Sequence, residues 1–169
     1  MSAPELDRDD PTAVRAAIRA GDWDGPTAAL APGFTQANLV ALPAADACDF
    51  LRFCVANPKP CPVLDVSDPG SPEPARSAPG ADLRTDVPRY RIFRDGEIVD
   101  EPTDASEHWR DDLVAVLIGC SFTFERALEA EGLRSATSSR ASTSRCTGRA
   151  GSASPPAASP ARWSSPCAR

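Results

Sequence analysis

"TQANLVALPAADACDFLRFCVANPKPCPVLDV", Thr35–Val66, is the stretch on which the fold turns. Residues 35–42 read as a strand. Pro43 then opens a helix in which Ala47, Phe50, Leu51, Cys54 and Val55 follow the spacing of one buried stripe. Val63–Val66 read as a second strand. Strand, helix and strand inside about thirty residues is the size of a βαβ unit. The expectation is an α/β domain: a mixed sheet with flanking helices.

Around that unit lies "NPKPCPVLDVSDPGSPEP", Asn57–Pro74, with six prolines in eighteen residues. Proline fixes φ and removes a backbone donor, which excludes helix and central strand from the proline-bearing positions. The apolar residues inside it, and the packed elements on either side, predict an ordered loop over Pro69–Gly80 rather than a linker. Before the unit, Asp10-Pro11 with Val14 and Ile18 predicts a capped amphipathic helix that Gly21 stops. After it, "RYRIFRDGEIV" predicts a hairpin turning at Asp95-Gly96, with Phe93 opposite Ile98 and Ile92 opposite Val99. Asp104 and Glu107 have the spacing of a capping box, which predicts a helix burying Trp109, Leu113, Val116 and Leu117. Gly119 would interrupt it, and Ser121 would cap a further helix, "FTFERALEAE".

The 169 residues, 41% hydrophobic, suffice for one ordinary domain with a core, and no apolar run reaches the length of a membrane helix. The acidic start "MSAPELDRDD" does not read as a signal peptide. Six cysteines without a secretory leader predict thiols in a reducing compartment. One histidine and no C-x-x-C pair argue against a metal site, and the net charge of -6 argues against a nucleic-acid surface. Charge is unevenly spread. All 24 acidic residues and 12 of the 18 bases precede Arg134; residues 134–169 hold six arginines and no acid. Residues 134–169 contain no Leu, Ile, Val or Phe and read as a disordered tail. The expected division is therefore 1–133 and 134–169.

Two polar clusters beside tight turns are the candidate sites. In "PGADLRTDVPRYR", Asp82, Arg84, Asp86 and Arg89 crowd a loop; arginine's planar fork suits a carboxylate ligand, and mutual Asp–Arg pairing is the plainer reading. In "IGCSFTFE", Cys120 and Ser121 stand at an expected helix start, where free N–H groups and the helix dipole favour anions. The plainer reading there is a packed cysteine beside a serine cap. Cys48 and Cys54 read as packing residues, Lys59 as solvated and His108 as exposed. No phosphate loop and no Ser/His/Asp spacing is present.

Taken together, "QANLVALP", "FLRFCVANPKPCPVLDV", "PGSPEP", "PGADLRTDVPRYRIFRDGEIVDEPTD" and "WRDDLVAVLIGCSFTFE" resemble the D-glutamate cyclase family, whose bacterial members are usually labelled hydro-lyases. The resemblance runs from about Gly25 to Leu133. It implies a cytoplasmic α/β protein that needs no cofactor and takes a small carboxylate or amino-acid substrate. The family reaction links D-glutamate to 5-oxo-D-proline with loss of water. On that footing Arg84 is expected to hold the α-carboxylate, Asp82 to serve as general acid/base, and Cys120 and Ser121 to receive the reacting carboxyl. A non-catalytic carboxylate- or amino-acid-binding protein on the same fold stays open beside this reading.

The resemblance stops at about Leu133. Relatives continue with motifs resembling "VNVSMYR" and "GRFAGPLVVSMRP". Back-translating "GLRSATSSRASTSRCTGR" with GC-rich codons and restoring one C after the Leu133 codon gives "GLPLRHVEQGVNVSMYR". The expectation is therefore a frameshift near codon 133, an incomplete fold and an inactive fragment.

Overall fold

The computed structural model describes residues 6–28, 30–120 and 131–132. Two compact units divide the chain, residues 1–127 and 128–169. Every described element lies in the first; of the second, only Glu131 and Gly132 are described. The expectations for Ser121, for the helix it was to cap and for 134–169 fall outside the described residues.

The first helix, α1 (Pro11–Arg19), forms as its sequence dictates. The Asp10 carboxylate accepts the Thr12 N–H at 2.8 Å, and Pro11 sits where no backbone donor is needed. Val14 and Ile18 are buried with Leu30 against Trp23 in a small core of their own. Strand β1 (Ala37–Pro43), helix α2 (Ala44–Ala56) and strand β2 (Val63–Val66) follow. The helix buries Ala47 and Cys54 and half-buries Phe50 and Leu51, but Val55 is 76% exposed and leaves the expected stripe.

The larger correction concerns Leu113–Gly119. This segment is not a helix: it is strand β5, central to a three-stranded sheet of order β1-β5-β2. Asp104 accepts the Ser106 N–H at 2.7 Å, yet only the 3-10 turn Ser106–His108 follows. In "LVAVLIG" every residue from Leu113 to Leu117 is buried, so the strand is covered on both faces and shows no alternation. Its β-branched Val114, Val116 and Ile118 suit a pleated surface better than a helix. Both pairings are antiparallel, so β1 and β2 run parallel to each other with β5 inserted between them. The strand–helix–strand reading holds for the elements, though the two strands are not neighbours.

Strand parity assigns the two faces. Val114, Val116 and Ile118 meet Leu42 and the Ala47, Phe50 and Leu51 side of α2. On the opposite face Ala115 and Leu117 meet Leu39, Leu83 and Trp109. The start of the proline-rich loop is hydrogen-bonded along β5, where the Ser67 N–H donates to Ala115 O at 2.9 Å and the Gly70 N–H to Leu113 O at 2.8 Å, and Gly70 O accepts the Trp109 indole N–H. Gly70, at φ +79°, lies so close to Asp111 that a Cβ there would stand 2.9 Å from its carbonyl oxygen. The hairpin is β3 (Ile92–Arg94) and β4 (Glu97–Asp100), turning at Asp95-Gly96, both at positive φ. Phe93 faces Ile98 as expected; a register shift places Ile92 opposite Asp100 rather than Val99.

Candidate functional site

The Asp82–Asp86 segment is a tight turn whose geometry begins in its backbone. The Thr85 and Asp86 N–H groups both donate to Asp82 O, at 3.1 and 2.8 Å, and the Leu83 N–H donates to Pro72 O at 2.9 Å. Leu83 is buried beneath β5, which turns its neighbours Asp82 and Arg84 outward. The Tyr90 hydroxyl donates to Leu83 O at 2.8 Å and accepts from the Val87 N–H, closing the turn from behind. Burial pushes the Tyr90 phenol well above its ordinary pKa, so it stays protonated.

Arg84 and Asp82 form a fork-to-fork pair. Nε donates to Oδ1 at 2.9 Å and Nη2 to Oδ2 at 2.7 Å, while the Arg84 N–H also donates to Oδ1. The Arg84 side-chain bond holds the Asp82 carboxyl below the usual carboxylate range, against the effect of partial burial. Asp82 in turn raises the Arg84 pKa. The pair is partly open, with side-chain exposures of 39% for Arg84 and 29% for Asp82. Nη1 takes part in none of these bonds.

A second pair stands behind the first. The Asp86 side chain, 2% exposed, takes Arg19 Nε and Nη2 at 2.8 Å each, with Arg15 Nε at 3.9 Å. Its Oδ2 also accepts the Asp82 N–H at 2.9 Å. Helix α1 is thereby tied to the turn that carries Asp82. Arg89, grouped with this cluster by sequence, instead meets Asp24 at the surface.

Cys120 stands immediately after β5. Its N–H donates to Gln36 O at 3.4 Å and its Sγ lies 3.6 Å from the same oxygen. Its N–H is therefore engaged in extending the β1–β5 ladder and is not open to an anion. The polar contacts of Cys120 and of Arg84 have no member in common; Leu83 brings the Arg84 turn to the middle of β5, while Cys120 meets the start of β1. His108 pairs with Asp100 at 3.1 Å, and among the described residues no group of His, Cys, Asp or Glu is arranged to hold a metal ion.

No family model matches the chain. Similar proteins exist in several bacteria. A Rubrobacter xylanophilus protein named "Putative hydro-lyase" is 65% identical over 121 residues, 72% of this chain and 47% of its own length. Likewise named proteins of Streptomyces coelicolor and Bacillus licheniformis are 63% and 59% identical over 123 residues, covering 44% and 47% of their lengths. Over that shared part the chain is homologous to them. The chain spans less than half the length of these hydro-lyase-named relatives.

Three residues escaped the sequence reading. Arg19 meets Asp86 across 67 positions, a pairing no local pattern announces. Gln36 joins Thr27 O and Leu30 O through its amide, at 2.8 and 3.0 Å, while its carbonyl receives Cys120. Asp65 is 4% exposed on the loop face of β2, where Oδ2 takes both the N–H and the hydroxyl of Ser77. Burial, the largest single effect, raises its pKa, yet the hydrogen bonds from Ser77, Val66 and Arg76 together outweigh it and the net shift is downward. A single acid within an apolar tetrad was the one available hint.

Proposed function

We propose that the complete fold of this family is a hydro-lyase acting on a small amino acid, and that its reaction links D-glutamate with 5-oxo-D-proline and water. The observation that carries the reading is the half-open Arg84–Asp82 fork, present in a chain 65% identical to a protein bearing the hydro-lyase name. Arg84 takes the substrate α-carboxylate through its planar fork. As that carboxylate displaces Asp82, the cation that kept the Asp82 pKa low is shared, and the pKa of Asp82 rises toward its ordinary value. A stronger base then stands beside the α-ammonium group.

The reaction balances with no further reactant. The ammonium group gives up one proton to Asp82, and its nitrogen attacks the γ-carboxyl carbon. A C–N bond forms, a C–O bond breaks, and the oxygen departs as water carrying two protons that began on nitrogen. Holding amine and carboxyl in contact contributes several kcal/mol of the barrier, of the order known for oriented intramolecular reactions. We further propose that the reacting carboxyl is received in the complete fold by the Cys120 thiol and by Ser121.

The 169-residue chain itself is proposed to be inactive, with residues 134–169 read out of frame; resequencing around codon 133 decides the second point. The test of function is to incubate the full-length Rubrobacter relative with D-glutamate, and separately with 5-oxo-D-proline, following interconversion by proton NMR. Alanine aligned with Arg84 should raise KM, and asparagine aligned with Asp82 should lower kcat. A second reading, a carboxylate-binding protein without turnover, draws support from Asp82 being held ionised and paired. Saturable D-glutamate binding with no interconversion would establish that reading instead.

A further inference from the structure

Among the described residues, one flank of the sheet is only partly covered. Helix α2 lies over β1 and β5. On that same face β2 presents Val63, opposite Ile118, and Val66, opposite Val116, and each is 37% exposed. Leu64, in the bulge between them, is 40% exposed. The other outer strand differs: the exposed residues of β1 are Ala37, Asn38 and Ala41, small or polar. Three aliphatic side chains within one four-residue outer strand are costly to leave partly in water, each forgoing a share of the about 1.5–3 kcal/mol that full burial gives.

The relatives have the chain length to cover them. More than half of each relative's chain lies outside the part matched here. A sheet face that carries one helix over two of its three strands is completed by a second helix alongside the first. Strand addition at the β2 edge is the poorer alternative, because Pro62 precedes the strand and a bulge interrupts its register.

We propose that the Val63–Val66 flank beside α2 is an interaction surface for polypeptide, occupied in the longer relatives by an apolar helix from the part of their chain that has no counterpart here. In this chain the surface is open to the same segment supplied as a separate molecule. The inference does not depend on which reaction the family performs.

The test places the photo-crosslinking residue p-benzoylphenylalanine at the position aligned with Val66 in the full-length Rubrobacter relative, and maps the joined peptides by mass spectrometry. A crosslink to a peptide outside the shared 121 residues is the expected result. A crosslink to a second copy, to shared residues alone, or to nothing overturns the proposal. Hydrogen exchange of the unmodified proteins serves if the variant fails to fold. Amides aligned with Val63–Val66 should exchange at least about tenfold more slowly in the relative than in this chain. Equal exchange overturns the proposal as well.

Discussion

Asp82 and Asp65 answer differently to acid and to substitution. Both carboxyls lie below their ordinary pKa in the folded protein, Asp82 through Arg84 and Asp65 through Ser77 against the opposing effect of burial. A lowered folded pKa contributes stability that is complete above the unfolded value, about 3.9, and is lost as pH falls through the folded one. Thermal unfolding should therefore be flat from neutral pH to about pH 5 and fall only in stronger acid, with a shallower acid limb for Asp82→Asn. Asp65→Ala removes the acceptor for two Ser77 donors and should cost about 1–3 kcal/mol by urea unfolding. Asp82→Asn should cost less stability than Asp65→Ala, because its fork with Arg84 is partly solvated.

Among the elements, β5 and the loop that covers it bear the fold. Val116 is fully buried at the centre, and Val116→Ala should cost about 2–4 kcal/mol by denaturant unfolding. Gly70→Ala forces a side chain into positive φ and into the Asp111 carbonyl, and should cost about 1–3 kcal/mol, read as a fall in Tm. The helices, the outer strands and the hairpin turn were legible because each combines a period with its own start or stop residue: Asp10 and Gly21, Pro43, Asp95-Gly96. β5 was not. Leu113, Val116 and Leu117 have helical spacing, but Val114 and Ala115 fill the gaps, and a short unbroken apolar run fits either element. The Asp82–Arg84 pairing was readable as two residues two positions apart. Its support by Arg19 was not, since only the folded chain brings α1 to that turn.

At the scale of the whole molecule, the described residues hold a three-stranded sheet, and the chain spans less than half the length of its relatives. Assayed beside the Rubrobacter protein, the 169-residue chain is expected to show no interconversion of D-glutamate and 5-oxo-D-proline under conditions where the relative does. Measurable turnover by the short chain would place the whole catalytic apparatus in the shared residues. The strand order carries a consequence for how such proteins are made. Pro43 pairs with Leu113 and Val66 with Val116, so the two outer strands leave the ribosome early and wait for a common partner delivered much later. Until Leu113–Gly119 emerge, neither waiting strand can close its ladder, and each presents unpaired backbone to any nascent chain nearby. Synthesis that pauses before that point exposes the cell to strand exchange between unfinished copies, whereas a pause beyond Gly119 leaves the sheet already closed.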